Sequence, residues 1–167
     1  LTLIFLAGIY ELLSAFKKIK SILILSLILI LSLLSIYYLK NEKSELLLYL
    51  AIGVTISSDI GGYVFGKIFK WKKLTKISPK KTISGVFGSY FFSIIFLFIW
   101  SEFYSSTPHF QINAFLITII FSTVAQAGDI IISYFKRLEK IKDTGKILPG
   151  HGGIFDRIDG LMFVLIL

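Results

Sequence analysis

The sequence predicts an all-α, polytopic integral membrane bundle, and three observations carry that prediction. Of its 167 residues 55% are hydrophobic and only 17% charged, with a mean hydropathy of +0.81, a balance outside the ordinary range of soluble domains. A bilayer core of about 30 Å needs about 20 apolar residues per helix; five such runs are expected at about 1–16, 21–39, 46–66, 83–100 and 113–135, with a truncated sixth from 160 onward. The basic residues are also unevenly placed. If the helices alternate in direction, the first, third and fifth connections hold 16 of the 18 Lys and Arg, so that side is expected to face the cytoplasm. The whole chain reads as one membrane-embedded domain over 1–167, a fragment truncated at both ends, and its beginning does not read as a removable signal peptide. Zero cysteines exclude disulfides, thiolate-ligated metals and a Cys nucleophile.

The first segment contains Glu11 alone among apolar residues. A carboxylate at mid-membrane costs about 2.5–3.5 kcal/mol on insertion scales, so Glu11 is expected in the bundle interior near Lys17, Lys18 and Lys20, or at the interface, in a helix-pairing or a site role. The second segment, SILILSLILILSLLSIYYL, has no polar group beyond Ser and Tyr and reads as a plain lipid-facing span. In the third, SSDIGGYVFGKIF sets Ser58, Gly62 and Gly66 at steps of four, a small-residue stripe that lets another backbone approach. Asp59 does not suit packing; it is expected to point into a polar cavity, one turn from Tyr63 and two from Lys67. Trp71, Trp100, Tyr37 and Tyr38 at segment ends suit an interfacial aromatic belt.

Seven lysines follow the third segment, and the loop ends in Ser78-Pro79-Lys80-Lys81-Thr82. The topology signal explains their sign. A turn, two ammonium groups and a hydroxyl just before a new helix also make a phosphate clamp, to which the helix N-terminal amides add partial positive charge. The spacing is not that of a Walker A loop. The fourth segment leads to the neutral-to-acidic SEFYSSTPHFQIN, whose lone His109 is assigned no chemistry. The fifth ends VAQAGDIIISYFKR, placing Asp129, Ser133 and Lys136/Arg137 on one helical face.

The densest polar stretch then runs from Ser133 to Asp159. It breaks at Pro149-Gly150, passes through His151-Gly152-Gly153 and restarts at Asp156-Arg157. Glycines there let backbone N–H groups approach a phosphate, although a bare turn has the same sequence. Asp59, Asp129, Asp143, Asp156 and Asp159 share one membrane face with about a dozen cations. Without Cys or clustered His, such carboxylates prefer a hard cation, foremost Mg²⁺. Mg²⁺ with lysines, arginines and a glycine turn is equipment for phosphoryl or nucleotidyl transfer.

Ser133, Lys136-Arg137, Lys142-Asp143, Gly145, Leu148-Pro149, His151-Gly152-Gly153, Asp156-Arg157 and Asp159 together resemble, at matching spacing, the signature of the phosphatidate cytidylyltransferase (CDP-diacylglycerol synthase) family. Gly128-Asp129, Ser78-Pro79-Lys80-Lys81-Thr82 and Asp59 with Gly62-Tyr63 extend the resemblance over roughly 57–160. It departs at Ile83-Ser84, where that family commonly has an acidic residue, and at Ser89, where a glycine is usual. The resemblance implies that CTP and phosphatidate are joined to CDP-diacylglycerol with release of pyrophosphate, that Mg²⁺ is required with room for a second cation, and that the protein forms a homodimer. A bacterial inner (plasma) membrane, with the site facing the cytoplasm, and no nucleic-acid partner are the matching expectations.

Asp129 and Asp156 are the first expected metal ligands, with Asp159, one turn after Asp156, completing the shell. Lys80, Lys81, Lys136, Arg137 and Arg157 are expected to neutralise the triphosphate, with Ser78, Thr82 and Ser133 donating hydrogen bonds. Lys142, Gly152 and Gly153 belong to the substrate side; Asp59, Asp143 and His151 belong in the site without an assigned role. Three other classes stay open: a cytidylyltransferase or kinase acting on a polyprenol or dolichol, a cation or proton transporter built on intramembrane carboxylates, and a non-catalytic assembly factor.

Overall fold

The structure is a computed structural model and describes residues 2–41, 45–104, 108–145 and 152–167. Those residues form six helices: α1 (Thr2–Ala15), α2 (Ile19–Asn41), α3 (Glu45–Phe69), α4 (Ile83–Tyr104), α5 (Pro108–Leu138) and α6 (Phe155–Ile166). α2 to α5 each contain a stretch long and apolar enough to cross a membrane. The polytopic helical prediction therefore holds, with α1 a shorter apolar helix of 14 residues, about 21 Å at 1.5 Å per residue.

Among apolar neighbours in a lipid solvent, helix association depends on close packing and interhelical hydrogen bonds rather than on water exclusion. α3 and α4 show both and form the most extensive helix pair. A Cβ on Gly61 would run into the Gly88 carbonyl, and one on Gly88 would run into the Gly61 carbonyl and Phe65, so the two backbones meet where neither residue has a side chain. The packing role expected of the small-residue stripe is observed there, with Gly61 at the closest point and Gly62 facing Ser89 and Gly85. Ser89 donates to the Ser58 carbonyl at 2.7 Å, and the Ser58 and Ser122 hydroxyls bond at 3.0 Å, tying α3 to α4 and α5.

Two apolar clusters fill the bundle. Leu50, Ala51 and Val54 of α3, Leu97 of α4, Ala114, Phe121 and Ala125 of α5 and Val164 of α6 form one. Leu12, Phe16, Leu25, Leu29, Ile132, Phe155 and Met162 form the other, from α1, the turn after it, α2, α5 and α6. α2 is not lipid-facing throughout: Ser21, Leu25, Leu29 and Ser32, at helical spacing, are buried. α6 contributes to both clusters and packs on α5, α2, α3 and α1, so its first turn is held from several sides.

The three basic connections come together at one end of the bundle. Glu139, just past α5, accepts the Lys17 and Lys18 backbone N–H groups at 3.2 and 3.1 Å, and Lys18 Nζ donates to the Leu138 carbonyl at 2.8 Å. Arg137 reaches from α5 to the lysine loop, donating to the Ile77 carbonyl. That loop is itself folded back: Lys73 and Thr82 form an antiparallel bridge, and Leu74 N–H donates to the Lys81 carbonyl at 2.8 Å.

Candidate functional site

The lysine loop, the second half of α3, the last third of α5 and the first turn of α6 enclose a cavity of about 420 Å³. Local chemistry positions each wall. Lys81 N–H donates to the Ser78 carbonyl at 3.1 Å, closing a four-residue turn with Pro79 in the second position, where its fixed φ is favourable. Thr82 then caps α4, its Oγ1 accepting the Gly85 N–H at 3.1 Å. These two devices direct Ser78, Lys80, Lys81 and Thr82 to the cavity. α3 contributes Asp59, Gly62 and Tyr63, α5 contributes Gln126, Asp129 and Lys136, and the segment beyond contributes Asp143, Asp156, Arg157 and Asp159.

The charges inside are paired across elements. Lys81 Nζ lies 2.6 Å from Asp129 Oδ2 and donates to the Gln126 carbonyl at 3.1 Å. Ser133 Oγ donates to the other Asp129 oxygen at 3.4 Å. Lys136 Nζ stands between two carboxylates, 2.9 Å from Asp156 Oδ1 and 4.0 Å from Asp159 Oδ2. Asp59, Asp129 and Asp159 are close enough to act on one another electrostatically, with Lys81, Lys136 and Arg157 in opposition. Gathered like charges of this kind favour a bound cation or several cationic side chains.

Asp156 has a different setting. Its Oδ2 accepts the Thr144 N–H at 2.8 Å and the Gly153 N–H at 3.0 Å, while Oδ1 takes Lys136. Burial alone pushes its carboxyl up, but the Gly153 N–H, the Lys136 ammonium and the Thr144 N–H outweigh that and hold it below the usual carboxylate range. Gly152, at φ +86°, makes the bend that brings these donors round; a side chain there would be strained and would meet the Asp156 carboxylate.

The cytidylyltransferase family matches residues 1–167. This chain belongs to that family. Among its relatives, phosphatidate cytidylyltransferase of Staphylococcus epidermidis is 41% identical over 131 residues, 77% of this chain and 50% of the relative. Its namesake in Staphylococcus aureus is 41% identical over 133 residues, 77% and 49% of the two chains. The one in Staphylococcus saprophyticus is 43% identical over 134 residues, 77% and 50%. The chain spans about half the length of the curated relatives it matches.

Of the family-signature residues, Asp59, Ser78, Lys80, Lys81, Thr82, Asp129, Lys136, Asp143, Asp156, Arg157 and Asp159 line the cavity. Others stand behind it. Ser133 orients Asp129 instead of facing the opening. Arg137 donates to the Ile77 and Ile141 carbonyls, the latter at 2.9 Å, and fastens the lysine loop to α5. Lys142 is exposed and away from the cavity wall. The Gly153 N–H, expected to face a phosphate, is instead directed at Asp156, and neither Gly152 nor Gly153 lines the cavity. His151, with Leu148, Pro149, Gly150 and His109, lies outside the described residues.

Sequence reasoning passed over Gln126, and it placed Glu11 in the bundle interior or at the interface without identifying its partners. Gln126 is three residues before Asp129 on the same face of a membrane helix, a polar placement that could have been noticed. Glu11 is 1% exposed and bonds not to the neighbouring lysines but to the far end of the chain: its oxygens accept the Ile154 N–H at 3.0 Å, the Phe155 N–H at 2.9 Å and the Thr144 hydroxyl at 3.4 Å. No spacing pattern announces such a partner.

Proposed function

We propose that this chain transfers the cytidylyl group of CTP to phosphatidate, forming CDP-diacylglycerol and releasing pyrophosphate at the cytoplasmic face of a bacterial plasma membrane. One observation carries the reading: in a bundle of membrane-spanning helices, a cavity at the lysine-rich end combines Lys80, Lys81, Lys136 and Arg157 with Asp59, Asp129, Asp143, Asp156 and Asp159. A lipid phosphate carried in the bilayer and a soluble triphosphate can meet only at such a boundary. The names of the Staphylococcus relatives support the same substrates.

In the reaction a phosphatidate phosphate oxygen attacks the α-phosphorus of CTP in line. The bond from the α-phosphorus to the bridging oxygen breaks, and its electron pair leaves with pyrophosphate. Lys80, Lys81, Lys136 and Arg157 neutralise the phosphates and the leaving group, and Ser78 and Thr82 donate hydrogen bonds. An already ionised phosphatidate needs no general base, which leaves His151 and Asp143 without a required proton transfer.

Among the described residues no three carboxylates lie close enough to enclose an ion by themselves. Mg²⁺ commonly takes one or two carboxylates and completes its shell with substrate phosphates and water, so the donors present suit an ion shared with the nucleotide. Asp129 and Asp159 would hold it beside Asp59, with Asp156 adjacent and engaged by three donors. When bound, Mg²⁺ supplies charge neutralisation on the triphosphate.

Purified protein supplied with CTP, dCTP, ATP, GTP or UTP against phosphatidate and a polyprenol tests the reading. Pyrophosphate release is expected with a cytidine nucleotide and only when phosphatidate is added. Release driven by polyprenol, or ion flux through sealed vesicles with no nucleotide consumed, overturns it. Asp129→Asn and Asp159→Asn are each expected to lower turnover by about 10²–10³-fold, the range for removing one charge-stabilising group. Near-normal Mg²⁺-dependent turnover in Asp129→Asn and Asp159→Asn would exclude carboxylate-held metal at these positions.

A further inference from the structure

We propose that Glu11 is a positioning residue for this site: from α1 it grips the first turn of α6 and so sets where Asp156, Arg157 and Asp159 stand in the cavity. The inference rests on the cytidylyl-transfer reading for its kinetic consequence, but its structural basis is independent of it.

Three observations converge. α6 has no side-chain cap of its own; its N-cap residue is Ile154, which cannot accept the N–H groups left open at a helix start. Glu11 supplies the missing acceptors from 143 and 144 residues away, one oxygen taking Ile154 N–H and the other Phe155 N–H. Finally, two glycines make room for it: a Cβ on Gly145 or on Gly153 would strike the Glu11 carboxyl group. A carboxylate merely tolerated in the bundle would not need an acceptor geometry, an uncapped helix and a glycine on each side.

The consequence reaches the cavity through bonds already described. Thr144 donates its hydroxyl to Glu11 and its N–H to Asp156. Asp156 is paired with Lys136, and Lys136 stands 4.0 Å from Asp159. Glu11 is thus one hydrogen-bonded residue removed from Asp156 and two further from Asp159, while it touches no substrate-facing position itself. Loosening it frees the α6 side of the site and leaves the lysine loop, which it does not contact, in place.

The test compares wild type with Glu11→Gln, which keeps the size but loses one acceptor oxygen, and with Thr144→Val, which keeps the N–H to Asp156 and loses only the hydroxyl. Amide exchange is followed by mass spectrometry in nanodiscs. Exchange over 152–157 is expected to rise at least about tenfold in Glu11→Gln and about threefold in Thr144→Val, with α3 and α4 unchanged, if each lost bond carries a typical share of roughly one hydrogen bond. In the CTP and phosphatidate assay, half-activating Mg²⁺ is expected to rise about tenfold in Glu11→Gln. A merely misfolding variant lowers the amount of active protein and leaves that concentration where it was. Exchange over 152–157 equal to wild type overturns the proposal, and so does faster exchange with an unshifted Mg²⁺ curve. A wild-type protein that makes no CDP-lipid counts against the proposed function, while faster exchange in Glu11→Gln still upholds the grip on α6.

Discussion

At the scale of single residues, the site turns on how each carboxylate is engaged. Asp129 and Asp156 are both aspartates beside a lysine, yet Asp129 has one close ammonium and a distant hydroxyl, whereas Asp156 accepts two backbone N–H groups and an ammonium. Removing the charge of Asp156 leaves Lys136, itself only 8% exposed, short of its partner. Breaking one side of a buried pair costs roughly 3–5 kcal/mol, so Asp156→Asn is expected to be strongly destabilising as well as inactive, measured by thermal unfolding in detergent. The pH dependence has a definite sign. Because the folded Asp156 carboxyl titrates below its ordinary value, its contribution is complete above about pH 4 and is lost as the pH falls through the lower folded value. Protection of the Thr144 and Gly153 amides, corrected for intrinsic exchange, should therefore be flat from neutral pH down to about 4 and fall below it.

At the scale of elements, backbone rules govern where the site can be. α5 ends in a closing turn in which Lys140 adopts φ +59°, with Lys140 N–H donating to the Arg137 carbonyl and Ile141 N–H to the Lys136 carbonyl. That pattern is normally closed by glycine, and a left-handed non-glycine residue costs about 1–2 kcal/mol. Lys140→Gly is thus expected to raise stability by about 1 kcal/mol without lowering activity, since Lys140 has no place in the cavity. The opposite result is expected between α3 and α4. Gly88→Ala pushes a methyl into the Gly61 carbonyl, and overpacking of this kind costs about 1–3 kcal/mol; unfolding temperature in detergent reads both changes. Thr82→Ala removes the α4 cap at a cost of about 1 kcal/mol.

At the scale of the whole molecule, the absence of cysteine makes orientation directly measurable. Single cysteines at Lys76, in the loop before α4, and at Glu102, exposed in the last turn of α4, are expected to react with a membrane-impermeant maleimide from opposite sides, Lys76→Cys only in inverted vesicles. Labelling of both from one side would refute the alternating topology. Much of this architecture was legible in the chain itself. The spans, the alternation of charge and the motif residues Asp59, Lys81, Asp129 and Asp156 are local in sequence: each depends on a run length, a period or a fixed spacing, and lipid enforces those rules strictly because it cannot satisfy a backbone or a charge. Tertiary structure alone decided which motif residues face the cavity and which stand behind it. Arg137 and Gly153 belong to the same signature as Lys136 and Asp156, yet one fastens a loop and the other feeds a carboxylate. It alone decided the role of Glu11, because a hydrogen bond between residues 143 apart obeys no period and is set only when α1 and α6 pack side by side.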